Sequence, residues 1–175
     1  MRRSPWVRVV QVFVLGVDPG LSRCGYCVLD GAARPARPAA LGVITTPVGD
    51  PVPTRLAELQ AEIRSLLDEW SPSVLAIERV LFQTNVRTAM SVGQASGVVM
   101  AEAAARGCDV VEYSPNQVKE AVAGYGAAGK EQVTEMVQTL LRLSRPPRPA
   151  DAADAAAIAL CHLAQSTVLV AGGPR

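Results

Sequence analysis

Two short apolar segments of this chain each end in a carboxylate, and they limit the folds that the chain can adopt. The segment VFVLGVD ends at Asp18, and the segment SVLAIE ends at Glu78. Runs of this length, bounded by turn-forming residues, are typical of buried strands. A carboxylate at the end of a buried strand must be paired, protonated or bound to a cation. The segments therefore predict a sheet that holds both acids at one edge.

The pattern around these segments predicts a mixed α/β sheet flanked by helices. Three strands precede a series of alternating helices and strands, which implies an antiparallel meander followed by parallel crossovers. The meander strands are predicted over Val12 to Asp18, Arg23 to Leu29 and Ala40 to Thr45. In this topology the first and fourth strands lie side by side and parallel, so Asp18 and Glu78 should meet.

The second half of the chain is predicted to be mostly helical. A helix capped by Thr54 should end near Ser71, and the apolar strand that ends at Glu78 follows. The later elements are a helix from about Val86 to Arg106, the strand DVVEY, and helices after Pro115, after Gly129 and from Asp151.

Two further acids, Asp151 and Asp154, open the segment DAADAAAIAL. Their spacing of three residues places both on one face of a helix start. Each acid also has a structural interpretation, since Asp18 can form a turn, Asp151 can cap a helix and Asp154 suits a first turn. The four acids taken together favour a divalent-metal site, because clustered carboxylates repel each other without a cation.

Composition indicates a single compact domain over residues 1–175. The chain has 49% hydrophobic residues and a formal net charge of +1, so bulk charge neither requires nor excludes a polyanionic partner. Residues 1–10 are expected to form an irregular extension, and residues 167–175 a flexible tail. No apolar run approaches the length of a membrane span, and no cleavage site follows the first apolar segment, so we expect a cytoplasmic protein.

Cysteine and histidine use argues against a zinc centre. Cys24 and Cys27 form a CxxC, but they lie in an alternating strand that should point them to opposite faces. We expect all four cysteines to be small, buried, reduced residues. The single histidine, His162, is not expected to be a ligand, and an all-carboxylate site suits Mg²⁺ better than zinc.

The two lysines are distinctive because the other fifteen of the seventeen basic residues are arginines. Lys119 and Lys130 flank the glycine-rich turn GYGAAG, which would let the backbone approach a phosphate. The alternative is that Lys119 pairs with Glu112 or Glu120 on the surface, and that Lys130 simply begins an exposed helix.

Four blocks carry a resemblance that spans about Val12 to Ser166. LGVDPGLSRCGYCVL, AIERV with NVRTAMSVGQASGVV, SPNQVKEAVAGYGAAGKEQV and PADAADAAAIALCH resemble the RuvC family of bacterial Holliday-junction endonucleases. The resemblance implies an RNase H-like fold with a five-stranded sheet. It also implies that the metal-binding catalytic acids are Asp18, Glu78, Asp151 and Asp154.

The resemblance further implies a reaction and its partners. A homodimer would cut two strands of a four-way junction symmetrically in recombination and repair, leaving 5′-phosphate and 3′-hydroxyl ends. Two Mg²⁺ per subunit are expected, with Mn²⁺ as a substitute, and Lys119 and Lys130 become contacts to the DNA backbone. The family also implies partnership with the branch-migration proteins RuvA and RuvB.

The loop after Glu78 is expected to meet the junction. Relatives typically carry an aromatic residue three positions after this glutamate, where this chain has Leu81 and, one residue later, Phe82. Either side chain would act as an apolar wedge between bases, and the alternative for Phe82 is a place in the core. Asn85 and Arg87, at the entry to the next helix, are expected to contact phosphate.

Three other interpretations remain open from the sequence. A nuclease similar to the RuvX/YqgF proteins would act on another nucleic acid, and a non-catalytic RNase H-like domain would only bind one. The DPG turn at Asp18 also resembles the phosphate loop of actin-like kinases, but 175 residues leave no room for their second domain.

Overall fold

The fold is a five-stranded mixed sheet with helices on both faces. The computed structural model describes residues 12–80 and 86–171, without side chains at 86–88 and 167–171. The strands are β1 (Phe13–Asp18), β2 (Arg23–Asp30), β3 (Arg37–Thr45), β4 (Val74–Glu78) and β5 (Asp109–Tyr113). The helices are α1 (Val52–Trp70), α2 (Val86–Ala105), α3 (Pro115–Ala123), α4 (Lys130–Leu140) and α5 (Ala150–Ala171).

The sheet order β3-β2-β1-β4-β5 places the two strand-end acids next to each other. Strand β1 pairs antiparallel with β2 and parallel with β4, and Val17 lies opposite Ile77. The next residue of each strand is the carboxylate, so Asp18 and Glu78 end adjacent strands at one edge. The predicted meander and the parallel pairing of the first and fourth strands are confirmed.

Strand alternation divides the interior into two cores. Leu15 and Val17 of β1 pack with α1 and α2, whereas Val14 packs with α3, α4 and α5. Strand β4 alternates in the same way, since Leu75 and Ile77 share the α1 and α2 core. Because side chains along a strand alternate in direction, Asp18 and Glu78 belong to the α5 face.

Helix α5 lies unusually close to the sheet. Its inward face is built from buried alanines, and a Cβ built at Gly16 or Gly25 would collide with a backbone oxygen of Ala155 or Asp151. Glycine at these two strand positions therefore lets the helix backbone touch the strands. This contact holds the first turn of α5 beside the end of β1.

Two predicted boundaries are wrong. Helix α1 begins at Val52 with Pro51 at its N-cap and no side-chain cap, so Thr54 lies inside the helix. Prolines at Pro51 and Pro53 preset a helical φ for this start. Helix α5 continues to Ala171, past the expected start of the tail, because no glycine or proline interrupts the sequence before Gly172. Residues 1–11 and 172–175 lie outside the described ranges.

The four cysteines are buried and form no disulfide, as predicted. Cys24 and Cys27 lie in different cores, on opposite faces of the sheet. Across the two described ranges, no helix combines the length and apolar character that crossing a membrane would require.

The close contact of α5 with β2 yields a stability test. Gly25→Ala should lower the free energy of unfolding by about 1–3 kcal/mol or more, because the new methyl group must push the backbone of Asp151 away. Gly49→Ala is the matched control, since nothing lies within 4 Å of a Cβ at that loop position. Urea unfolding of the two variants would decide the matter, and equal stabilities would contradict the proposed contact.

Candidate active site

A cleft of about 260 Å³ opens where β1, β4 and three helices meet. Its polar lining consists of three carboxylates and two ammonium groups, from Asp18, Glu78, Asp154, Lys119 and Lys130. Its apolar lining consists of Pro115, Val118, Val133 and Ala157. Opposite charges therefore converge in a cleft whose other walls are apolar.

Each charged group is delivered by the end or first turns of an element. Asp18 and Glu78 end parallel strands, and Asp154 projects from the first turns of α5. Lys130 is the first residue of α4. Lys119 lies on α3, whose start is fixed by a capping box in which the backbone N–H of Gln117 donates to Ser114 Oγ at 3.3 Å.

Burial and neighbouring carboxylates raise the pKa of two acids in the cleft. Burial, followed by the negative charges of Glu78, Asp154 and Asp151, raises the pKa of Asp18 to about 7, against the opposing effect of Lys130. Burial and then Asp154 also raise the pKa of Glu78, which both lysines oppose. The protein thus holds more negative charge here than its own cations neutralise.

Two ion pairs hold the acids of α5. Lys130 Nζ lies 2.8 Å from Asp154 Oδ2, with 64% of the lysine side chain exposed. Arg23 donates from Nε and Nη2 to Asp151 Oδ2 at 2.9 and 2.7 Å, and 48% of its side chain is exposed. Ion pairs this exposed contribute about 1 kcal/mol or less. They orient the carboxylates but would yield readily to a stronger cation.

The structure brings five of the ten predicted site residues together in the cleft. Asp18, Glu78, Asp154 and both lysines share the cleft, whereas Asp151 is held one turn away by Arg23. Within the described ranges, Lys119 forms no ion pair with Glu112 or Glu120. Lys130 does begin a helix, but it faces the cleft.

The loop that is expected to meet the junction lies mostly outside the described residues. Leu81, Phe82 and Asn85 lie outside the described residues, and Arg87 lies in α2 with its side chain undescribed. Their roles therefore stay predictions.

Sequence reasoning missed Arg23. It begins β2, directly after the turn that follows Asp18, and its partner Asp151 lies 128 residues further along the chain. The only sequence signal was an arginine at the exposed start of a strand that leads away from a predicted site. Nothing in the sequence pattern linked it to Asp151.

His162 does not line the cleft. Its Nδ1 lies 2.8 Å from the Tyr113 hydroxyl, and its Nε2 lies 3.0 Å from Ser166 Oγ. The Ser166 hydroxyl donates to the backbone oxygen of His162, so Nε2 carries the proton and Nδ1 accepts from Tyr113. Burial lowers the pKa of His162. The ring therefore fastens α5 to β5.

The donor set of the cleft suits a hard divalent cation. All candidate ligands are carboxylate oxygens, and their mutual repulsion is what a cation would relieve. Within residues 12–80 and 86–171, no three His, Cys, Asp or Glu side chains are already close enough to hold a metal. Asp151 and Asp154 instead face Arg23 and Lys130. Metal binding would therefore replace these two weak ion pairs.

The fold and the cleft together define a class of protein. A three-strand meander, parallel crossovers and carboxylates at two strand ends and one helix start are the features of an RNase H-like nuclease. The family model for Crossover junction endodeoxyribonuclease RuvC matches residues 14–162. The chain belongs to the RuvC family of metal-dependent crossover junction endodeoxyribonucleases.

Individual relatives support the assignment. The RuvC of Thermomicrobium roseum is 49% identical over 153 residues, covering 87% of this chain and 93% of the relative. That of Streptomyces avermitilis is 51% identical over 151 residues, covering 86% of each. The structure of Thermus thermophilus RuvC matches with a TM-score of 0.84 at 35% identity, over 90% of this chain and 96% of that one. The same protein solved with a Holliday junction substrate gives a TM-score of 0.85, with the same identity and coverage.

The raised pKa of Asp18 makes stability depend on pH. An acid whose pKa is about 7 when folded and near 3.8 when unfolded destabilises the fold increasingly as pH rises between these values. In metal-free buffer, Asp18→Asn should therefore be more stable than the wild type at about pH 8, by roughly 1–3 kcal/mol, and equal to it near pH 4.

Urea unfolding in a chelator at both pH values measures this difference. Asp68→Asn is the control, because the Asp68 carboxylate accepts hydrogen bonds from Arg106, which lower its pKa, and its loss should bring no gain at pH 8. A variant at Asp18 that gains no stability at pH 8 would contradict the electrostatic description of the cleft.

Proposed function

We propose that this protein resolves four-way DNA junctions by divalent-metal-dependent hydrolysis of one phosphodiester on each of two strands, leaving 5′-phosphate and 3′-hydroxyl ends. The observation that carries the proposal is the cleft itself, where three carboxylates and two lysines converge. Support for a junction substrate comes from the similar RuvC of T. thermophilus, whose structure was solved with a Holliday junction substrate. Such cuts would serve recombination and repair of DNA in the cytoplasm.

The proposed metal ligands are the four acids. Asp18, Glu78 and Asp154 line the cleft, and Asp151 would join them by releasing Arg23. Two Mg²⁺ per subunit, or Mn²⁺ in their place, would activate water and stabilise the leaving 3′ oxygen. No side chain of the cleft then needs to act as a nucleophile.

The protein's own groups position the phosphate. Lys130 would turn from Asp154 to a phosphate oxygen of the DNA, since its pair with Asp154 is largely exposed. Lys119 stands on the neighbouring helix and offers a second ammonium group. The apolar side chains of Val118, Val133 and Ala157 line the cleft. They would exclude water molecules other than the one that attacks the phosphate.

The loop that follows β4 is proposed to meet the bases. Leu81 or Phe82 would act as the apolar wedge at the crossover, and Asn85 and Arg87 would bind phosphate at the start of α2. The loop leaves the sheet directly after Glu78, so a base held there would be near the cleft.

Two symmetric cuts call for two sites, so we include a homodimer in the proposal. Helix α2 offers a flat surface for the partner, because Met90 is 59% exposed and a Cβ at Gly93 or Gly97 would meet nothing within 4 Å. Residues 1–175 would act as one nuclease domain, with RuvA and RuvB as the branch-migration partners.

A cleavage assay with a synthetic four-way junction, a linear duplex and a single strand tests the function. With Mg²⁺, the wild type should introduce paired nicks into the junction alone, and Asp18→Asn should reduce cleavage by about 10³-fold or more, since metal binding is lost. Asp50→Asn, an exposed acid between β3 and α1, is the control and should cut normally. Equal cutting of all three substrates would rule out junction selectivity, and undiminished cutting by Asp18→Asn would rule out the assigned chemistry.

The role of Lys130 requires a second variant. Lys130→Ala should slow cleavage at limiting junction by about 10-fold or more, because a charge-assisted contact to phosphate is lost. Its unfolding free energy should change little, since the side chain is mostly exposed. Lys130→Arg keeps the charge and should retain more activity. Unchanged turnover of Lys130→Ala would count against a phosphate contact.

A further inference from the structure

The connection between α4 and α5 carries three exposed arginines, Arg142, Arg145 and Arg148, which we call the arginine strip. We propose that the arginine strip binds the phosphates of a duplex arm of the junction, next to the cleft. The inference rests on the proposed function and extends the DNA surface beyond Lys119 and Lys130.

The first observation is that the strip has no anionic partner within the protein. In the described part of the chain, none of its three guanidinium groups pairs with a carboxylate. Three other arginines, Arg23, Arg64 and Arg106, each bind an acid. What sets the strip apart is that its three exposed guanidinium groups lie within seven residues, just before α5.

The second observation is that the strip's backbone is held in place. Leu141 and Pro147 are buried on either side of Arg145, and Gln138 Nε2 donates to the backbone oxygen of Leu143 at 3.3 Å. Prolines at 146, 147 and 149 restrict φ along the segment. A held backbone loses less conformational entropy when its side chains bind a partner.

The third observation is the strip's position. Its last arginine lies three residues before Asp151 and two residues before the start of α5, whose first turns carry the acids. Six residue steps span at most ~21 Å, less than the ~34 Å of one duplex turn. The three guanidinium groups can therefore face one duplex arm while the cleft holds a phosphate of the same junction.

Duplex DNA is the partner whose chemistry fits this surface. It presents closely spaced phosphates, and guanidinium groups bind phosphate oxygens in a bidentate manner. An acidic protein surface would bind the same charges, but only the DNA partner brings the strip and the cleft into one complex.

The salt dependence of junction binding tests the inference. A fluorescent four-way junction is titrated with protein in a chelator, from about 50 to about 200 mM KCl, so that binding is measured without cleavage. For the double variant Arg145→Gln, Arg148→Gln, the slope of log affinity against log salt should become shallower by about 1.8, because each lost phosphate contact removes ~0.9. Its cleavage rate at saturating junction with Mg²⁺ should stay within about twofold of the wild type.

The matched control is the double variant Arg34→Gln, Arg37→Gln, which removes the same charge from exposed arginines. These residues lie at the end of the sheet away from the cleft, where Arg37 of β3 is the backbone register partner of Asp30 of β2. Equal slopes for the two double variants would overturn the arginine strip alone, as long as the wild type binds and cuts the junction. A wild type with no salt-dependent binding to the junction would overturn the proposed function, and this inference with it.

Discussion

The contact between the backbone of α5 and the strands β1 and β2 determines where the acids of α5 lie relative to Asp18. Gly16 and Gly25 leave room for the helix, and the buried alanines of α5 allow it to approach. Larger side chains on either side would lift the helix and carry Asp151 and Asp154 away from Asp18. The geometry of the site thus depends on residues that have no charge and no reactive group.

This close packing has an electrostatic cost that the protein meets with its own cations. Asp18 is buried among other carboxylates, and Arg23 and Lys130 each neutralise one acid of α5. Both pairs are exposed enough to be weak, so they offset the repulsion between the carboxylates without blocking a divalent ion. In the proposed function, Lys130 serves first as a counter-ion of Asp154 and then as a phosphate contact.

Sequence patterns predicted the meander, the parallel pairing of the first and fourth strands and the convergence of Asp18 with Glu78, because strand alternation and crossover rules are local in origin. They failed where a contact joins distant residues. The bond from Arg23 to Asp151 spans 128 residues, and nothing in the pattern around either residue signals it. The start of α1 was also predicted wrongly. Threonine is a common N-cap, but this helix begins earlier, at a pair of prolines, without a side-chain cap.

The two cores of the interior place different limits on amino-acid substitutions. Side chains on the α1 and α2 side, such as Leu59, Ile63 and Val99, belong to the other core and are not among the residues that line the cleft. Substitutions there that conserve volume can adjust thermal stability while the acids stay in place. On the α5 side, an added methyl group would push the helix away from the sheet and shift its carboxylates. Substitutions on the α1 and α2 face can therefore tune thermal stability to the growth temperature. Substitutions on the α5 face are more limited, because they displace the carboxylates of the cleft.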